Sequence, residues 1–150
     1  MRKIIASFIF VCGLTVSFLA SAQTTAIYKK AYSDDAVSGY DTVAYFTLGE
    51  PTPGSDEFSY EYKGATWKFS SQEHMDMFIA EPEKYEPQYG GYCAYAMARG
   101  NRASAEPDLW TIHDDKLYLN LNKRVIERWR GKKEEYIEKA DAEWMTFVGD

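Results

Sequence analysis

The sequence has only two cysteines, Cys12 and Cys93. Cys12 lies inside the apolar N-terminal run, which we expect to be removed, so Cys93 is left without a partner in the mature chain. This excludes an intramolecular disulfide, although the protein is expected to be exported to a compartment where disulfides form. The cysteines also show no CxxC spacing. Cys93 is therefore a buried thiol, a metal ligand, a reactive thiol or half of an intermolecular bridge.

The sequence also has little positive charge. Its formal net charge is −6, from 17 basic and 23 acidic residues. Removal of Arg2 and Lys3 with the N-terminal run takes this to −8. Nucleic-acid binding requires a basic face, which an acidic chain with scattered lysines does not supply. We therefore expect no nucleic-acid partner.

Only one stretch is long and apolar, from Ile4 to Leu19. Arg2 and Lys3 precede it, and Ala20-Ser21-Ala22 follows with a small-x-small cleavage pattern. These features predict a secretory signal peptide over residues 1–22, cleaved after Ala22. The run is short for a membrane span, and no other stretch is apolar enough. We expect a soluble periplasmic or secreted protein with no membrane span after cleavage.

The 128 residues after Ala22 have the size of one ordinary domain. Residues 23–34 are predicted to be a flexible leader in which Ile27 and Tyr28 can dock. Loop residues, two amphipathic terminal helices and two hairpins then follow without repeats or linkers. The fold class expected is α+β, a single small domain with two short β-hairpins packed against about four helices.

Alternating aromatic residues predict the hairpins. Phe58 to Phe69 alternates about the turn Lys63-Gly64, and Leu109 to Asn120 turns at Asp114-Asp115. After the first hairpin, Ser70-Ser71-Gln72-Glu73 fits a capping box with Ser70 as N-cap, which predicts a helix from Ser71 to about Ala80.

The segment from Tyr85 to Gly100 has four tyrosines, the pair Gly90-Gly91 and Cys93. Residues 93–99 are predicted to form a short helix that ends at Gly100. Cys93 would lie in its first turn, where the helix dipole favours a thiolate, and Met97 would share its face.

Three uses of this segment follow from its chemistry. Cys93 and His74 suit copper or zinc, and Met97 adds a thioether that favours Cu(I). Alternatively, the tyrosines form a cleft for a small ligand or a protein partner, with the candidate residues Tyr89, Tyr92, Tyr95 and Asp41. In the third case, Cys93 is a catalytic thiol activated by a histidine. No oxyanion-hole pattern or second acid/base pair supports the third use, so we favour a binding module over an enzyme.

Several blocks in order resemble the YHS-domain family, in an exported bacterial branch of it. They are Ala36-Val37-Ser38-Gly39-Tyr40-Asp41, Lys63-Gly64-Ala65-Thr66-Trp67-Lys68-Phe69-Ser70-Ser71, Phe78, Pro82-Glu83-Lys84-Tyr85, Gly90-Gly91-Tyr92-Cys93-Ala94, Trp110-Thr111-Ile112 and Lys116-Leu117-Tyr118-Leu119-Asn120. The resemblance implies a YHS-like domain over residues 35–148, with a C-terminal helical extension. The resemblance also implies a relation to TRASH-like modules, which hold soft metals with cysteines.

At the family's cysteine positions this sequence has Ser38, Ser70 and His74. Hydroxyls bind soft metals poorly, whereas an imidazole binds them well. The resemblance therefore implies a remodelled site, and we expect His74, Cys93 and Met97 to bind copper before zinc. Metal-handling proteins are the partners implied, and no nucleotide or organic cofactor is indicated.

Overall fold

The structure is a computed structural model that describes residues 26–149. The predicted signal peptide, Cys12 and the first residues of the leader lie outside this range. Within residues 26–149, no helix is long and apolar enough to cross a membrane.

Both predicted hairpins are present as separate two-stranded antiparallel sheets. Strand β1 (Ser55–Tyr62) pairs with β2 (Ala65–Phe69), and β3 (Glu106–His113) pairs with β4 (Lys116–Asn120). The turn residues Lys63, Gly64, Asp114 and Asp115 all have positive φ, between 48° and 73°. This is the conformation that a two-residue hairpin turn requires at both central positions.

The helices are α1 (Ala44–Thr47), α2 (Gln72–Ala80), α3 (Pro82–Tyr85), α4 (Ala94–Met97), α5 (Lys123–Arg130) and α6 (Lys133–Gly149). Two 3-10 turns are added at Val37–Gly39 and Gln88–Gly91. With two hairpins and six helices in the described range, three of them one turn long, the α+β fold class is confirmed.

The N-cap of α2 corrects one sequence prediction. The cap is Ser71, whose Oγ accepts a hydrogen bond from the backbone N–H of His74 at 3.2 Å. The side chain of Ser70 is directed away from the helix start, because both its hydroxyl and its backbone N–H donate to the buried carboxylate of Asp41. The predicted cap was therefore one residue early.

The buried side chains form two clusters. One, the hairpin cluster, is formed by residues of both hairpins and of α2 and includes Trp67, Phe69, Phe78 and Cys93. The other lies under the C-terminal helices and includes Tyr89, Met97, Tyr118 and Trp129. The segment that contains Cys93 runs between these clusters, so it joins the hairpin half of the domain to the helical half.

The double glycine allows the start of the described chain to dock. Gly90 has a φ of +60°, and its carbonyl accepts a hydrogen bond from the N–H of Tyr28 at 2.9 Å. A Cβ at Gly90 would lie 1.6 Å from the carbonyl oxygen of Ala26. Ile27 is buried beside this contact, as its expected docking required.

Candidate functional site

A buried carboxylate joins three segments of the chain at the end of the first hairpin. Asp41 is fully buried, and its Oδ1 accepts hydrogen bonds from the backbone N–H groups of Val43 (2.9 Å) and Ala44 (3.2 Å). Its Oδ2 accepts from the backbone N–H of Ser70 at 2.9 Å and from its hydroxyl at 2.6 Å. The same oxygen lies 2.6 Å from Nδ1 of His74. Asp41 thus caps the start of α1 and also binds Ser70, which directly follows β2, and His74 of α2.

The local sequence explains why these groups meet. Asp41 lies just before the one-turn helix α1 and accepts from two backbone N–H groups at its start, which have no partner within the helix. Ser70 directly follows β2, and His74 lies in the first turn of α2. The bend between strand and helix therefore turns both side chains toward one carboxylate.

The hydrogen bond to Asp41 determines which ring nitrogen of His74 is available. A carboxylate accepts hydrogen bonds, so Nδ1 carries the hydrogen that bonds Asp41. Nε2 then lies 3.2 Å from the hydroxyl of Thr47, at the partly accessible edge of a side chain that is 12% exposed. Because the hydroxyl of Thr47 is also 3.1 Å from the carbonyl of Val43, it has two alternative acceptors.

Ser38, the remaining family cysteine position, is separate from this hydrogen-bonded cluster. It lies in the turn Val37–Gly39 with a φ of 54°. No side-chain hydrogen bond within residues 26–149 joins it to Asp41, Ser70 or His74. Of the three family positions, the structure therefore brings two together, and Asp41 is the residue that connects them.

Cys93 lies in a different environment from His74. Its side chain is 1% exposed, and its Sγ lies 3.6 Å from Oδ1 of Asn120, which also accepts from the N–H of Tyr95. Burial raises the pKa of the Cys93 thiol, despite nearby backbone N–H groups that favour the thiolate. The prediction of a favoured thiolate is therefore wrong, because Cys93 precedes a helix of only four residues and desolvation dominates.

The two sulfur atoms of this segment also pack differently. Cys93 belongs to the hairpin cluster, whereas Met97 belongs to the cluster under the C-terminal helices. Within residues 26–149, no group of three or more histidine, cysteine, aspartate or glutamate side chains is arranged to hold a metal ion. His74 thus contacts Asp41 and Thr47, whereas Cys93 contacts Asn120.

The predicted tyrosines lie in three separate settings. Tyr89 is buried and donates to Asp141 at 2.8 Å, and burial together with this hydrogen bond raises the pKa of Tyr89. Tyr92 packs against Tyr28 and Phe147. Tyr95 lies on α4, where it is half-buried and accepts a hydrogen bond from Arg128 of α5.

A cavity of about 320 Å³ lies beside Tyr89. Its other lining residues are Ala26, Ile27, Lys63, Glu86, Pro87, Gln88, Gly90, Trp144 and Val148. Of the three tyrosines predicted to line a cleft, only Tyr89 reaches this cavity. Tyr92 and Tyr95 are not among the residues that line this cavity.

Sequence reasoning missed several residues that complete these sites. Asn120 bonds Cys93, and Thr47 bonds His74, but neither was assigned a role from the sequence. The arginines that contact Tyr95 were missed because no motif or spacing pointed to them. Asn120 ends one of the blocks that resemble the YHS family, and this position does not indicate a partner.

The family model of the YHS domain matches residues 43–89. The chain therefore contains a YHS domain, and the resemblance drawn from the sequence is confirmed over these residues. The match runs from just before α1 to the 3-10 turn Gln88–Gly91, and it includes Thr47, Ser70 and His74. Neither the search of curated proteins nor the search of solved structures returned a match.

Proposed function

We propose that the protein is a binding module that captures a metal ion through Nε2 of His74, copper before zinc. The observation that carries this proposal is the 2.6 Å contact between Nδ1 of His74 and the fully buried carboxylate of Asp41. Metal-binding histidines almost always donate their second ring N–H to a carboxylate, a carbonyl or water. That bond orients the ring, selects its tautomer and raises the basicity of the opposite nitrogen.

The hydrogen bond between Thr47 and Nε2 of His74 can be broken at little cost, because the Thr47 hydroxyl has a second acceptor. A metal at Nε2 displaces the Thr47 hydroxyl, which keeps its alternative acceptor at the carbonyl of Val43. Asp41 is already saturated with hydrogen bonds and need not move. The cluster can therefore exchange one neutral hydrogen bond for a metal bond without leaving a buried polar group unpaired.

Cys93 and Met97 are the candidate sulfur ligands, because a thiolate and a thioether favour copper over harder metals. They pack in two different clusters, so binding of either sulfur to an ion at His74 requires the protein to rearrange. Burial of Cys93 and its bond to Asn120 oppose ionisation of the thiol. We therefore assign the primary role to His74. Recruitment of Cys93 requires loss of its proton and of its contact with Asn120.

We place this activity outside the cytoplasm, in the periplasm or in the secreted fraction, on the basis of the predicted signal peptide. In that setting a protein that binds one copper ion would exchange it with other metal-handling proteins. The acidic balance of the chain is compatible with attraction of a cation.

Titration of the protein with Cu(I) against a competing chelator tests the proposal. His74→Gln is expected to weaken binding by at least tenfold, because it removes the anchoring nitrogen. His113→Gln is the matched control, since His113 is the other histidine of the chain and lies on β3. Equal affinity in the parent and in His74→Gln contradicts the proposal.

The sulfur ligands are tested separately. Loss of affinity in Cys93→Ser or Met97→Leu assigns that sulfur to the site, whereas unchanged affinity restricts the site to His74. Zn(II) titrated under the same conditions measures the preference between the metals. Circular dichroism of each variant verifies that the fold is retained.

The cavity beside Tyr89 supports a second candidate function, the binding of a small aromatic molecule. Tyr89 and Trp144 supply aromatic walls, and the Lys63–Glu86 ion pair (2.8 Å) supplies charge at its edge. Phenol and indole are suitable probes, with binding followed by NMR. If Trp144→Ala leaves the shifts caused by the probes unchanged, the cavity is not their site.

A further inference from the structure

The arginines of the described chain are concentrated in one region. All five lie between residues 99 and 130, at the end of α4, in the following loop and on α5: Arg99, Arg102, Arg124, Arg128 and Arg130. Each ion pair among residues 26–149 takes its cation from a lysine or a histidine instead. None of these five guanidinium groups therefore forms an ion pair within the described residues, although the chain has more acidic than basic residues.

Two of these arginines converge on one phenol. The guanidinium carbons of Arg99 and Arg128 lie 5.8 Å and 5.9 Å from the centre of the Tyr95 ring. Nη1 of Arg128 donates to the Tyr95 hydroxyl at 3.3 Å. The ring itself is held edge-on against Tyr136, with centroids 5.1 Å apart. The result is a positioned phenol between two exposed cations.

Neither guanidinium group of this arrangement is in an ion pair within residues 26–149. An oxyanion is the ligand that a guanidinium group binds best, because its planar set of N–H donors matches the oxygens of a phosphate or carboxylate group. The hydrogen bond from Arg128, together with the positive charges of Arg128 and Arg99, also lowers the pKa of Tyr95, which is a sign of the local positive potential. Because the Tyr95 oxygen accepts from Arg128, its own hydrogen is free to donate to a ligand.

The geometry points to an oxyanion-binding site formed by Arg99, Arg128 and the hydroxyl of Tyr95. Its ligand is a phosphate or carboxylate group that both guanidinium groups contact and that accepts a hydrogen bond from the phenol. Arg124 lies one turn before Arg128 on the same face of α5, so it extends the positive surface. The group belongs either to a free oxyanion or to the acidic side chains of a polypeptide. This inference is independent of metal binding at His74.

Calorimetric titration of the protein with inorganic phosphate and with a hexaglutamate peptide tests the site and separates the two sources. The double variant Arg99→Gln/Arg128→Gln is expected to weaken binding by about tenfold, as two exposed charge contacts predict. Lys116→Gln, which removes one positive charge at another surface position, is the control, because Lys116 is exposed on β4 and this strand has none of the five arginines. Affinity should also fall as the salt concentration rises.

The conservative variant Arg99→Lys/Arg128→Lys separates geometry from charge. It keeps both positive charges but loses the planar fork of donors, so intermediate affinity is expected. Tighter binding of phosphate identifies a free oxyanion as the ligand, and tighter binding of the peptide identifies an acidic polypeptide. The inference is overturned if neither probe binds, or if the glutamine double variant binds them as well as the parent does.

Discussion

Asp41→Asn is the substitution with the clearest structural consequence. The variant keeps the size of the side chain but replaces one carboxylate oxygen with an NH₂ group. If the remaining oxygen still caps α1, the new NH₂ faces the N–H and hydroxyl of Ser70 and the Nδ1–H of His74. If the amide rotates, the cap of α1 is lost instead. Neither orientation satisfies all of the donors that Asp41 binds.

The number of lost contacts gives the size of the effect. A hydrogen bond to a charged group contributes about 1.5–3 kcal/mol, and a buried donor left without an acceptor costs about 1–3 kcal/mol. Because the three donors at Oδ2 share one acceptor, their contributions are not additive. We expect the free energy of unfolding to fall by about 3–5 kcal/mol, similar to breaking a buried ion pair. This is a large part of the stability of an ordinary domain.

Urea denaturation followed by tryptophan fluorescence measures this change. The midpoint should fall while the slope with denaturant stays constant, since the surface exposed on unfolding is nearly unchanged. Asp115→Asn is the matched control, because Asp115 is exposed at a hairpin turn where asparagine is well tolerated. A loss below about 1 kcal/mol for Asp41→Asn would refute the role assigned to its carboxylate.

Three further outcomes follow from the structure. Gly90→Ala should destabilise the protein by more than about 2 kcal/mol in the same urea assay, because its Cβ would lie 1.6 Å from the carbonyl oxygen of Ala26. Gly49 also has a positive φ but no atom within 4 Å of such a Cβ, so the difference between Gly90→Ala and Gly49→Ala measures the cost of the steric clash. Cys93 should react slowly with thiol reagents in the folded protein and rapidly in urea, since burial raises its pKa, and fast labelling of the native state would contradict that burial. Alkali should unfold the protein, because burial raises the pKa of Tyr118 from 10.0 to about 12. The unfolded chain loses the Tyr118 proton at a lower pH than the folded protein, so the full contribution of Tyr118 to the free energy of unfolding is present below about pH 10 and falls as the pH rises toward 12. A free energy of unfolding that stays constant over this window, measured by circular dichroism, would be inconsistent with a buried phenol.

Much of the fold followed from local patterns. Alternating aromatic residues located both hairpins, and Lys63-Gly64 and Asp114-Asp115 located their turns, because turn geometry depends on a few adjacent residues. The start of α2 was displaced by one residue because Ser70 and Ser71 are equally good caps in isolation. The choice between them depends on Asp41, which lies 29 residues earlier in the chain.

The candidate site was predicted less completely. The family resemblance indicated that His74 stands where relatives have a cysteine, but no pattern connected it with Asp41 or Thr47. The sequence placed Cys93 at a helix start and assigned it a thiolate. Its protonation depends on burial in the hairpin cluster, and burial is a property of the packed molecule.

Short-range periodicity and motifs read in order were enough to predict the α+β class, the two hairpins and the YHS domain that the family model matches over residues 43–89. Three pairings could be seen only in the folded molecule: Asp41 with His74, Cys93 with Asn120, and two arginines with Tyr95. Each of these pairings joins residues on different elements. Their proximity in space follows from the packing of the hairpins against the helices, and no local sequence pattern encodes it.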